Sequence, residues 1–489
     1  MAWHDAEQVE KIHEFSLPVQ NSAKNQTYPA SGRRMTVDFI FFIFYKKSIF
    51  IRVLFSFEMK KIIFFLTIIT AGILTSGYVL YHENDRMEAC AATCEDWGFV
   101  GHRLLNRYAV FTLPPEMMVF YKKNIEYVTE HAVDPDKRRY ATKYEAPRHY
   151  IDIDHWGEYP YENIPRRWTP ALAKFTDVFI ISNENDTIQL FGNEVSKLDD
   201  YKFTLYGEGI QKIFGKDSTI IYRDNYIEFV QKNIERNIYK DDKSLNAEDL
   251  LALFSQETPQ IMPVSAYFDD QLSNYGIIPW HLQRMQKQLT NAFTEKDAEE
   301  IIRISADFGH YVGDAHVPLH TTTNYNGQLT NQLGIHAFWE SRVLELFIDE
   351  YDTFVGKADY IDYPKDYVWD VVLASHVLVD SVLNVEKRLV RDFPKDRQMC
   401  FDERLDRTIN TQCEEFARAF SEEMQGMVEQ RFTEAIHALG SLWYTAWVDA
   451  GQPDLNKIGL NKKEKEAQKE LKEELNKAAN SGKIFGRQH

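Results

Sequence analysis

The sequence predicts an all-α, multi-helix bundle, on three observations. From residue 246 onward, apolar residues recur at helical spacing. Segments 365–392 and 403–448 extend that pattern as long amphipathic helices. Strand-like runs are confined to 174–230. At 489 residues, 44% hydrophobic and 27% charged, the chain can bury a sizeable core.

The elements follow in chain order. Residues 1–58 pass from a polar stretch to a Phe/Ile-rich one without helical or strand period, and are expected to be an upstream extension that is not native. Met59-Lys60-Lys61 and the apolar run 62–81 have the basic start and apolar body of an export signal, so 59–96 is expected to be signal and linker. The run is also long enough to remain as a membrane anchor. The expected location is therefore periplasmic, secreted or anchored through 62–81. Cys400 and Cys413 close a short loop and can pair in an oxidising compartment, whereas Cys90 and Cys94 sit near the export junction.

Residues 98–112 carry helix-spaced Leu104, Leu105, Tyr108 and Ala109 and stop at Pro114-Pro115; 115–130 read as a second helix. Residues 134–156 are rich in turn formers and charge, as in a functional loop. The β-branched and aromatic runs of 174–230 read either as a small β-containing insertion or as an irregular excursion. Thr294-Glu295-Lys296-Asp297 has the form of a capping box, followed by Ile301, Ile304, Phe308, Tyr311 and Val312 at helical spacing, with Pro318 expected to end the helix. Residues 451–489 form a charged tail, Lys/Glu-rich and helical in pattern at 460–480.

The balance of 56 basic to 74 acidic residues, a net charge of −18, argues against broad attraction to nucleic acid or anionic membranes. Bound divalent cations would reverse the sign locally. His310 and Asp314, four apart on a helix, can reach a common ion, and His336 and Glu340 repeat the spacing. Chance gives about two such pairs in a chain of this composition, and a third, His376/Asp380, reads as a core histidine with a polar partner. Density carries more weight than spacing: His310, His316, His320 and His336 fall within one stretch, and histidines with carboxylates favour zinc.

Upstream lie Trp97, His102, Asp134 and His149. The full order is Trp97-x4-His102, Asp134, His149, His310-x3-Asp314-x5-His320 and His336-x3-Glu340. It resembles the zinc-dependent phospholipase C and single-strand-specific zinc nuclease superfamily, over roughly 97–345. The resemblance implies a multi-helix bundle at 97–450 holding three zinc ions. One ion would be held by Asp134, His149, His310 and Asp314, and a second by His320, His336 and Glu340. The third would be held by His102, Asp314 and the amino and carbonyl groups of an N-terminal Trp97, which requires processing after Asp96. His316 would support a ligand from behind; His131, His155 and His281 match no ligand position.

By the same resemblance, a zinc-bridging hydroxide attacks phosphorus and Asp134 accepts the water proton. Lys137, Arg138, Tyr150 and Asp152 become candidate substrate contacts. Glu340 at the last ligand position, followed by Ser341, looks closer to the phospholipases than to the nucleases. The expected partner is a phospholipid or other phosphodiester, with contact to a membrane surface and no stable nucleic-acid or obligate protein partner. The alternatives are a single-strand nuclease or nucleotidase, and a non-catalytic envelope protein stabilised by zinc.

Overall fold

The computed structural model describes residues 99–192, 195–198, 201–404, 407–458 and 473–477. The upstream extension, the export signal, Cys90, Cys94, Trp97 and most of the charged tail lie outside them. The described chain is mostly helical, with small antiparallel sheets.

Residues 99–109 form helix α1, which ends in a 3-10 turn at Val110–Thr112 before Pro114-Pro115. The expected helix over 115–130 is two, Pro115–Lys123 and Ile125–Glu130, parted at Asn124. The long helices are α2 (Ile278–Glu295), α3 (Ala298–His316), α4 (Pro364–His376), α5 (Val379–Asp392), α6 (Glu414–Glu423) and α7 (Met427–Asp449). Helices α2, α3 and α7 pack against one another, and α4 closes on α2 and α3. Their apolar faces supply Leu289, Phe293, Ile301, Phe308, Leu439 and Trp443 to one core. A second core joins α5 and α6 to residues 335–347 through stacked Phe338, Phe416 and Phe420.

Three local expectations change. Thr294 lies inside α2, where its hydroxyl donates to Thr290 O; Asp297 alone caps α3, accepting from the backbone of Glu299 and Glu300. Helix α3 ends at His316, before Pro318, as expected. Segment 365–392 is broken at Val377-Leu378 into α4 and α5. Segment 403–448 begins inside a hairpin of the strands Met399–Arg404 and Arg407–Gln412, before α6 and α7. Cys400 and Cys413 are disulfide-bonded across that hairpin. By length and composition Pro364–Asp392 is apolar enough to cross a membrane, but it is partly buried and interrupted, as a core helix pair is.

The insertion contains strands. Thr176–Ser182 pairs with Thr187–Phe191 and with Pro263–Asp270, in a four-stranded sheet completed by Ser244–Leu245. Ser196–Leu198, Lys202–Tyr206 and Ser218–Tyr222 form a separate three-stranded sheet. The strand Pro263–Asp270 falls past residue 246, so the β region runs to Asp270 rather than stopping at 230.

Candidate metal centre

Helix α3 is buried along nearly its whole length and places His310 and Asp314 one turn apart, Nε2 to Oδ2 3.4 Å. Two glycines make this possible. A methyl at Gly309 would fall 1.6 Å from Asn106 Oδ1, and one at Gly313 would fall 2.9 Å from His102 Nδ1. Without side chains there, α1 approaches α3 closely and His102 stacks on His310, ring centroids 3.9 Å apart.

Asp314 is the hub of the first cluster. Its Oδ2 lies 2.9 Å from His149 Nδ1 and its Oδ1 3.4 Å from His102 Nε2. Glu340 is the second hub. Its Oε2 lies 2.8 Å from His336 Nε2 and 3.4 Å from His320 Nε2, while its Oε1 is 3.7 Å from His102 Nε2. Among the described residues, three groups of donor atoms could each hold a cation: His102, His310 and Asp314; Asp136, His149 and His310; and His320, His336 and Glu340. His310 belongs to two of them, and His102 faces both hubs.

Backbone carbonyls orient three of these rings. His310 Nδ1 donates to Ala132 O at 2.9 Å, His320 Nδ1 to His149 O at 2.6 Å and His336 Nδ1 to Tyr325 O at 3.0 Å. A carbonyl only accepts, so in the neutral ring the proton sits on Nδ1 and the Nε2 lone pair points inward. His320 and His336 thus direct their Nε2 atoms at each other across 3.2 Å, an arrangement that a shared cation relieves. The donor set, five imidazoles and three carboxylates, fits zinc among the common ions.

The protein groups alone show how tightly charge is coupled here. Burial and the neighbouring His310 push His102 down to about 3. Burial opposes a charge on His310 too, but the Asp314 and Asp136 carboxylates outweigh it and raise His310 to about 9. Burial raises Asp314 to about 7 against the pull of His310 and His320. Cation binding therefore competes with protons.

Most of the expected ligands converge: His102, His149, His310, Asp314, His320, His336 and Glu340 all enter the three groups. Asp134 joins none of them. Its carboxylate takes His131 Nδ1 at 2.5 Å and Lys137 Nζ at 3.1 Å. Burial opposes its charge, yet His131 and Lys137 hold it below the usual carboxylate range. The carboxylate facing the cluster is Asp136, 3.6 Å from His310 Nε2 and 3.8 Å from His149 Nδ1. Both sit on the short helix Asp134–Arg138, where residues two apart point about 200° away from each other, so only one can face His310. Nothing but the neighbouring Asp-x-Asp pattern marked Asp136 in the sequence. Arg139, also missed, lies 3.6 Å from Asp136.

The candidate substrate contacts are committed elsewhere. Lys137 pairs with Asp134, and Arg138 pairs with Asp307, Glu145 and the Tyr311 hydroxyl. Tyr150 is buried against Gly276, and Asp152 is buried as well. His316 is buried with Nδ1 on Val312 O at 2.7 Å, and lines a small cavity with His102 and Glu340. His131 stacks on Tyr127, His155 stacks on Tyr275, and His281 accepts from Arg284; none joins a donor group. His376 is bound to Tyr161 and Thr321 rather than to the exposed Asp380.

Compared with protein-family models and with curated proteins, the sequence matches none of them.

Proposed function

We propose that this chain is a zinc-dependent phosphodiesterase that cleaves phospholipids in the manner of a phospholipase C. The observation that carries this reading is the sharing of donors: His310 serves two of the three candidate groups and His102 faces both Asp314 and Glu340. A single structural ion is held by a closed set of four ligands; linked groups suit clustered ions with open positions. Divalent ions bound there supply Lewis acidity, lowering the pKa of water and placing positive charge against the phosphodiester.

The protein's own groups do the rest. His102, His149, His310, His320 and His336 present nitrogen donors, while Asp136, Asp314 and Glu340 present oxygen. Held by only three carboxylates, three divalent ions would leave the site net positive and suited to a phosphodiester despite the chain's net charge of −18. Asp136 is more open than Asp314, and in this reading the proton-accepting role expected of Asp134 falls to it. In the nuclease branch of the resembled superfamily the residues matching Tyr150 and Asp152 contact the base; here both are buried, which favours the phospholipid over a single-stranded nucleic acid.

The test is a parallel assay of the zinc-loaded protein on phosphatidylcholine and on single-stranded DNA, with His310→Ala as control. Release of the phosphorylated headgroup, lost in the variant, is the expected result. Cleavage of DNA alone would move the protein to the nuclease reading. Bound zinc with activity on neither substrate would leave the non-catalytic alternative.

A further inference from the structure

A carboxylate that no expected role absorbed lies behind the cluster. Glu145 precedes the 3-10 turn Ala146–Arg148, four residues before His149, and its side chain is 1% exposed. A lone carboxylate buried so completely would be strongly unfavourable. Glu145 is compensated on one oxygen by Arg148 Nη1 at 2.6 Å and Arg138 Nε at 3.4 Å. Its other oxygen, Oε1, accepts from the Tyr311 hydroxyl and lies 3.8 Å from His149 Nε2.

His149 is the one ring of the cluster oriented differently. Its Nδ1, not its Nε2, faces inward, 2.9 Å from Asp314 Oδ2 and 3.1 Å from His310 Nε2. To donate a lone pair from Nδ1 a neutral ring must carry its proton on Nε2. That Nε2 is buried and lacks a hydrogen-bond partner. The carbonyls that orient His310, His320 and His336 have no counterpart on this ring; what faces its outer nitrogen is Glu145.

We propose that Glu145 is a positioning residue for cation binding: its carboxylate fixes the Nε2–H form of His149 and aims Nδ1 at the Asp136–Asp314 cluster. The role rests on the metal centre proposed above. Arg138, Arg148 and Tyr311 hold Glu145 in place, which gives an electrostatic reason for so many ionic groups beneath one histidine. The residue touches neither substrate nor ion in this assignment and acts through His149.

The test is zinc affinity by competition with a chromophoric chelator, in wild type, Glu145→Gln and Glu145→Ala. The expected result is one ion weakened about 10-fold by the amide and nearer 100-fold by alanine, with the remaining ions unchanged. A folded Glu145→Ala that binds every ion within twofold of wild type would overturn the proposal. Should the variants not fold, imidazole ¹⁵N spectra of the zinc-loaded wild type decide. Nδ1 ligation with an exchange-protected Nε2–H on His149 supports the role, and ligation through Nε2 overturns it. A wild type that binds no zinc overturns the metal centre itself, so the two failures are distinct.

Discussion

Replacing Gly309 by alanine tests the packing that brings α1 to the cluster. In an exposed helix the change favours alanine by about 1 kcal/mol. Here the new methyl would sit 1.6 Å from Asn106 Oδ1 and 2.8 Å from Leu439 Cδ2, both on buried residues. Overpacking of this kind costs about 1–3 kcal/mol. Asn106 must also move, and its amide bridges Val128 O at 2.9 Å and Ala306 O at 3.0 Å. Those two hydrogen bonds are worth about 1 kcal/mol each. The sum is a destabilisation of about 2–4 kcal/mol, read as a lower midpoint in chemical denaturation of the chelator-treated protein. Asn106→Ala should shrink the increment, because it removes the obstructing atom. A Gly309→Ala protein as stable as wild type, or stabilised by the propensity gain, would refute the claimed contact between α1 and α3.

Four other outcomes follow from particular contacts. Asp136→Asn should lose bound zinc by elemental analysis, while Asp134→Asn keeps it and loses stability, since Asp134 ties down His131 and Lys137. Cys400→Ser opens a loop of separation 13 and should destabilise by about 3 kcal/mol on chain-entropy grounds, measured by denaturation with and without reductant. Burial, then the charges of Arg284, Arg148 and Arg138, hold His281 well below its ordinary value. The unfolded chain therefore takes up a proton below about pH 6.5 that the folded chain does not, and stability present above that pH is lost as pH falls. His281→Phe should remove up to about 2 kcal/mol of the stability lost between pH 7 and 5; an unchanged pH profile would count against this assignment. Zinc affinity should also weaken from pH 7.5 to 6, because the ions displace protons held by His310 and Asp314.

Much of the fold was legible where the determinants are local. Pro318 follows the end of α3, a stop signal that acts within one turn of the chain, whereas the cap was placed one turn early, on Thr294 instead of Asp297. The His310/Asp314 and His336/Glu340 pairs were readable because helical spacing alone sets their geometry. The strand Pro263–Asp270 was not, since it is specified by pairing with Thr176–Ser182, far away in sequence. The hairpin of Met399–Arg404 with Arg407–Gln412 hid inside a pattern continuous with α6 and α7. Asp134 and Asp136 could not be separated by pattern, since the choice depends on which face of a single helical turn meets His310. Glu145 carried no signal, because its partners Arg138, Arg148, His149 and Tyr311 assemble only in the fold.

Zinc stoichiometry tests most directly whether these residues form one multinuclear centre. After dialysis against zinc and elemental analysis, wild type should retain more than one ion per chain. His310→Ala should lose more zinc than His336→Ala, because His310 belongs to two donor groups and His336 to one. A wild type holding no zinc, or equal losses in the two variants, would contradict the shared-ligand centre.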